Sequence, residues 1–171
     1  MYLITGTDNP HPYQFHLSIA KYSDISDSVY DSASIASLGV SAHECGHAIQ
    51  HAKSYLALKI RNKIFPIVNF SSSLSVPLII IGLVVSTPAL LITGILLFTF
   101  VVLFQLITLP VEFNASKRAL SILSDSSYLD EGEIKGAKKV LTAAALTYVA
   151  SALTSLMQLL RFLVIANNRR D

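Results

Sequence analysis

Apolar residues are spread unevenly along the chain, and the unevenness sets out its elements. Residues 1–30 mix Asp, Ser, Pro, His and Tyr without a sustained period and read as an irregular N-terminal segment. Within it "DNPHP" at 8–12 predicts turn and extended chain, because proline biases the preceding residue away from the helix. "QFHLSIAKYS" at 14–23 has the look of one short strand. From Asp31 the pattern changes. Asp31 or Ser32 can cap a helix, and Ile35, Leu38, Ala42, Ile49 and Ala52 recur at roughly helical spacing, which predicts a helix over about 32–53. Its first half is dominated by Ala, Ser and Gly, a surface that lets other helices approach closely.

Long apolar runs then follow a basic stretch of Lys53, Lys59, Arg61 and Lys63. A helix crosses a bilayer core of roughly 30 Å with about 20 apolar residues. Three segments qualify: about 66–86, whose first half is polar; 89–109, which carries no formal charge; and about 140–162, within an apolar run that reaches 166. The third is rich in Ala, Ser and Thr and suits packing against other helices, with a surface-lying amphipathic helix as the competing reading. "TP" at 87–88 marks a tight turn, and Ser124, Asp125, Ser126 and Ser127 break a stretch at 113–139 that is soluble in character and partly helical. The expected fold class is all-α, a polytopic membrane helical bundle.

Composition agrees with lipid as a partner. Charged residues make up 14%, against roughly 25% in ordinary globular domains, and the mean hydropathy is +0.55. A net charge of +2, without a basic run interleaved with aromatics, argues against nucleic acid. The single cysteine, Cys45, excludes an intramolecular disulfide and suits a reducing compartment. The opening residues lack the basic start and the long apolar run of a secretory signal.

The candidate chemistry lies in "SAHECGHAIQH", residues 41–51. Residues four apart share a helix face, so His43 and His47 can direct imidazole nitrogens at one zinc ion. Glu44 is rotated by about 100°, beside the metal rather than on it, where it can take a proton from water whose pKa zinc lowers from near 15.7 toward about 7. That is the logic of a zinc-dependent peptidase; solvated or capping histidines are the bland alternative. A catalytic site needs a third protein ligand. His51 does not serve, because in a continuous helix it stands about 12 Å along the axis from His43. Glu112 is the better candidate: if 66–86 and 89–109 form a hairpin, it returns to the side that holds the histidines. An interfacial glutamate paired with Lys117 or Arg118 is the alternative.

The segments "GVSAHECGHAIQHA", "LPVEFNASKRAL" and "AAALTYVASAL…LLRFLVI" resemble the neutral zinc metallopeptidases of bacterial membranes, the YugP-like membrane proteases, over about residues 28–166. The resemblance implies a membrane metalloprotease with Zn²⁺ held by His43, His47 and Glu112 and with Glu44 as catalytic acid/base. It also implies a further membrane helix and soluble stretch ahead of the histidine helix, which "TGTDNPHPYQFHLSIAKYSD" does not match; the chain reads as N-terminally short.

Other residues take lesser roles. Cys45 faces away from the metal and suits packing more than redox work. Tyr148 suits helix packing or an interhelical hydrogen bond more than oxyanion stabilisation. Arg161 can snorkel to the interface or pair with an acid. Asn114 either supports Glu112 or caps local backbone. Ten of the thirteen Lys and Arg residues fall on the side of the candidate site (Lys21, Lys53, Lys59, Arg61, Lys63, Lys117, Arg118, Lys135, Lys138 and Lys139). The positive-inside rule then turns the site to the cytoplasm of a multi-pass plasma-membrane protein. The expected activity is hydrolysis of peptide bonds in a peptide or protein substrate, membrane proteins among them. The rivals are a catalytically inactive zinc-binding scaffold, whose structural site would be closed by four protein ligands, and a metal-binding or transport protein.

Overall fold

The structure is a computed structural model and describes residues 34–125 and 129–168. Among these residues the chain is all helical, as expected: α1 Ile35–Ala52, α2 Leu56–Val84, α3 Pro88–Asp125 and α4 Glu131–Asn167. The irregular segment and the strand expected before residue 31 lie outside the described residues, as do the caps expected at Asp31 and Ser32. The cap of α1 is Ser34, whose Oγ accepts from the Ser37 N–H at 3.2 Å while the Ser37 hydroxyl donates to the Ser34 carbonyl at 2.8 Å. Ser54, with φ 53°, turns the chain between α1 and α2.

The helices run further than the apolar segments alone predict. α2 begins ten residues before Pro66, so the basic stretch around Arg61 is helical. α3 continues through Pro110, well past the apolar segment expected at 89–109, and runs to Asp125. Proline removes one backbone donor, but in an apolar helix neighbouring polar groups can absorb that loss. Two residues before it, the buried Thr108 hydroxyl donates to the Phe104 carbonyl at 2.8 Å, so this stretch of α3 also carries a side-chain bond to its own backbone. Of the break expected at 124–127, Ser124 and Asp125 are still helical in α3 and Ser126 and Ser127 lie outside the described residues. α4 then starts on a capping box: the Glu133 N–H donates to Asp130 Oδ1 at 2.8 Å and the Asp130 N–H to Glu133 Oε2 at 3.0 Å. Sequence reading passed over this signal, although Asp130 and Glu133 stand at the right spacing for it.

The chain divides into two compact units. The first comprises Met1–Lys53 and Phe113–Ala145, hence α1, the C-terminal part of α3 and the N-terminal part of α4. Its core is small and tight, with Ala42, Ala119, Leu123, Ala137 and Leu141 buried together. The Ala, Ser and Gly residues foreseen as a packing surface fill this role at Ser37, Gly39, Ser41 and Ala42, all buried. Gly46 is the closest approach: a Cβ there would stand 2.4 Å from the Ala115 carbonyl oxygen.

The second unit comprises Ser54–Glu112 and Leu146–Asp171. Here α2 and the first part of α3 form the expected hairpin. Gly82 meets Leu91, Gly94 meets Ile79 and Ser75, Phe65 meets Phe104, and Arg61 meets Glu112, so contacts descend one helix as they climb the other. The turn is a Schellman closure, in which the Thr87 N–H donates to the Gly82 carbonyl at 2.9 Å and Ser86 takes φ 53°. Pro88 then opens α3, where its missing N–H costs nothing. The polar half of α2 satisfies itself: the hydroxyls of Ser71, Ser72, Ser73 and Ser75 donate to carbonyls one turn back.

α2, α3 and α4 are each long and apolar enough to cross a membrane. Large apolar side chains point outward along the second unit, including Val84 at 78% exposure, Met157 at 65% and Phe70 at 64%. In water such a surface would drive association; against acyl chains it needs no cover.

Gly46→Ala forces the α1–α3 backbone contact apart and is expected to cost about 1–3 kcal/mol, lowering the melting temperature by several degrees at this chain length. Gly39→Ala meets neighbours only at 3.9 Å and is expected to be neutral or to stabilise by up to about 1 kcal/mol through helix propensity. Thermal unfolding of both variants in detergent, followed by circular dichroism, checks the contrast; equal effects would contradict the close contact.

Candidate metal centre

The site is built from two helices in contact. One turn of α1 carries His43 and His47, whose rings stand 4.7 Å apart at 89° to one another. Between them Gly46 lets α1 lie against the α3 backbone at Ala115. Ala42 shares a buried cluster with Ala119 and Leu123 on one side of that contact, and Gln50 bonds to Asn114 on the other, so α1 and α3 run antiparallel here. The register is therefore local and tight.

Glu112 stands one residue before Phe113 on the same unbroken α3, within a turn of Ala115 and Ser116. Its side chain is buried, the residue being only 2% exposed. His43, His47 and Glu112 each present one donor atom, and all three atoms lie within 4.8 Å of one another. Two imidazoles and one carboxylate are a donor set suited to zinc, and three protein ligands with a fourth position left over is the catalytic pattern rather than the closed structural one. Two bonds of about 2.0–2.1 Å bridge roughly 4 Å, so small side-chain adjustments suffice. The residues fit the ion.

The alternative partners foreseen for Glu112 are corrected. Its carboxylate pairs with Arg61 at 3.6 Å rather than with Lys117 or Arg118. Arg61 reaches it because α2 starts early enough to be helical there. Asn114 also departs from both roles expected of it. Its Oδ1 accepts from Arg118 Nε at 2.8 Å and from Gln50 Nε2 at 3.1 Å, and Gln50 Oε1 lies 2.9 Å from His47 Nδ1. The buried Ser116 hydroxyl lies 3.2 Å from His43 Nδ1. Each histidine thus has a polar partner on Nδ1, the arrangement that orients a metal-binding imidazole through its other nitrogen. Gln50 and Ser116 were missed in the sequence. The available signal was spacing: Gln50 lies three residues beyond His47 and Ser116 four beyond Glu112, each one helical turn away.

The remaining residues fall outside the convergence. His51 is exposed and is not one of the three donors. Glu44 is half-buried next to His43 and likewise is not among them. Cys45 is half-buried, and burial first and the Glu44 carboxylate second push its thiol up. It therefore stays protonated and is a weak nucleophile. Tyr148 and Arg161 are exposed on α4.

His-Glu-x-x-His within reach of a buried glutamate is the donor pattern of a metallopeptidase-like centre, here in a chain with three helices long and apolar enough to cross a membrane. The chain belongs to the family described as "Putative neutral zinc metallopeptidase", which matches residues 15–167 and so begins earlier than the 28 expected. It is similar to "Putative membrane protease YugP" of Bacillus subtilis (strain 168), with 51% identity over 147 residues. That match covers 86% of this chain and 65% of the relative, so the chain spans about two thirds of the relative's length. No solved structure matches. The relative and the three apolar helices together make the protein membrane-associated.

Proposed function

We propose that the protein is a membrane-embedded zinc metallopeptidase that hydrolyses peptide bonds in peptide or protein substrates, membrane proteins among them. The observation that carries this reading is the convergence of one donor atom each from His43, His47 and Glu112 within 4.8 Å, with Glu44 on the same helix turn as the histidines. His43, His47 and Glu112 would hold the metal. Zinc, when bound, supplies Lewis acidity toward a scissile carbonyl and toward water.

The chain's own residues supply the rest. The Glu44 carboxylate takes a proton from the attacking water and returns it to the nitrogen of the leaving amine. Arg61 balances the buried charge of Glu112, which would otherwise be costly to hold away from water. Gln50 and Ser116 fix the planes of the two imidazoles, so that substrate does not find them in competing orientations. The excess of Lys and Arg on the side of the centre, ten of thirteen, supports a multi-pass plasma-membrane protein with this centre toward the cytoplasm.

The purified full-length chain is expected to bind about one zinc per molecule. His47→Ala should lose the metal and His51→Ala should retain it, as read by elemental analysis; full retention in His47→Ala would remove the ligand assignment. Glu44→Gln is expected to keep zinc and to lose hydrolysis of a panel of membrane-protein substrates by about 10²–10⁴-fold. A Glu44→Gln variant that cleaves at the wild-type rate would end the role given to Glu44. A zinc-loaded wild type that cleaves nothing would favour the inactive scaffold.

A further inference from the structure

We propose that Arg118, Asn114 and Gln50 form a one-way hydrogen-bond relay that fixes His47 as its Nδ1–H tautomer, making all three positioning residues for the metal. The proposal rests on the metal reading above and extends the part it gave Gln50 to Asn114 and Arg118 and to the tautomer of His47. It follows from which atoms can donate. A guanidinium has donors and no acceptor. Arg118 Nε bonds Asn114 at 2.8 Å, so the Asn114 atom that meets it must be the carbonyl Oδ1. The same Oδ1 meets Gln50 at 3.1 Å, so Gln50 must present its amide nitrogen there. Its carbonyl Oε1 is then turned to His47 Nδ1, 2.9 Å away. An acceptor in that place requires a proton on Nδ1, and a neutral imidazole protonated at Nδ1 carries its lone pair on Nε2.

Three amide and guanidinium groups thus transmit one polarity from Arg118 to the coordinating nitrogen of His47. Reversing Gln50 would set its Oε1 against Asn114 Oδ1, two acceptors face to face. It would also offer His47 a donor and drive the proton to Nε2, where it would block coordination. Gln50 has no room to avoid the choice by turning to water, because it is 0% exposed. The contrast with the other histidine is instructive. The Ser116 hydroxyl that meets His43 Nδ1 can either donate or accept, so that contact by itself selects no tautomer. All four relay residues lie in the first unit, on α1 and on α3 beyond Phe113.

Two readouts on the full-length chain in micelles test the relay. The first needs no variant: ¹⁵N shifts of histidine-labelled, metal-free protein, taken well above the ordinary imidazole range, with His47 assigned by its loss in His47→Ala. The expected result is a proton on Nδ1; a proton on Nε2 overturns the proposal. The second is zinc affinity by chelator competition. Arg118→Leu and Asn114→Leu should each weaken binding by about 10–100-fold, as loss of an outer hydrogen-bond partner typically does. The double variant Arg118→Leu/Asn114→Asp should recover most of that loss, because a carboxylate can only accept from Gln50 and restores the polarity without the guanidinium. Wild-type affinity in Arg118→Leu, or a double variant as weak as the single, overturns the relay. Absence of zinc binding by the wild type would instead overturn the metal reading, and the tautomer measurement would still decide the relay.

Discussion

The site depends on one steric constraint, the backbone contact between α1 and α3 at Gly46 and Ala115. With a Cβ at residue 46 only 2.4 Å from a carbonyl oxygen, no other side chain allows the two helices to lie this close. That closeness turns the face carrying residues 43, 47 and 50 toward α3 on either side of Ala115, where Asn114 meets Gln50 and Ser116 meets His43. The site also depends on an uninterrupted α3. A helix ending at Pro110 would leave Glu112 on a loop, without a fixed register against the histidines. Instead α3 continues through the proline.

The polar groups so assembled are few and nearly all are committed. Glu112 is buried and charged, a combination that is unstable without partners, and Arg61 stands beside it. The histidines are held by Gln50 and Ser116. In an otherwise apolar protein, a polar cluster of this kind is where function is concentrated.

Much of this was legible in the sequence for definite reasons. The His-Glu-x-x-His spacing places two ligands on one face of any helix, and two adjacent apolar segments can return Glu112 only by a hairpin. The length of α3 was not legible, because proline ends most helices in water and only the apolar surroundings make Pro110 tolerable. Arg61 was read only as part of a basic stretch, because charge masks the start of the helix that brings it to Glu112. Gln50, Asn114 and Ser116 carry no motif. Their roles depend on the pairing of α1 with α3, and Asn114 was tied to its sequence neighbour Glu112 when its partners are Gln50 and Arg118. The capping box at Asp130 and Glu133, by contrast, was written in the sequence in full.

The central claim is that α1 and α3 together present two imidazoles and one carboxylate to a single ion. X-ray absorption at the zinc edge of the loaded, full-length protein tests it most directly. The account predicts the multiple-scattering signature of two imidazoles together with light oxygen scatterers and no sulfur, and the loss of one oxygen contribution in Glu112→Ala. A sulfur contribution from Cys45, a single imidazole, or a spectrum unchanged by Glu112→Ala would contradict it.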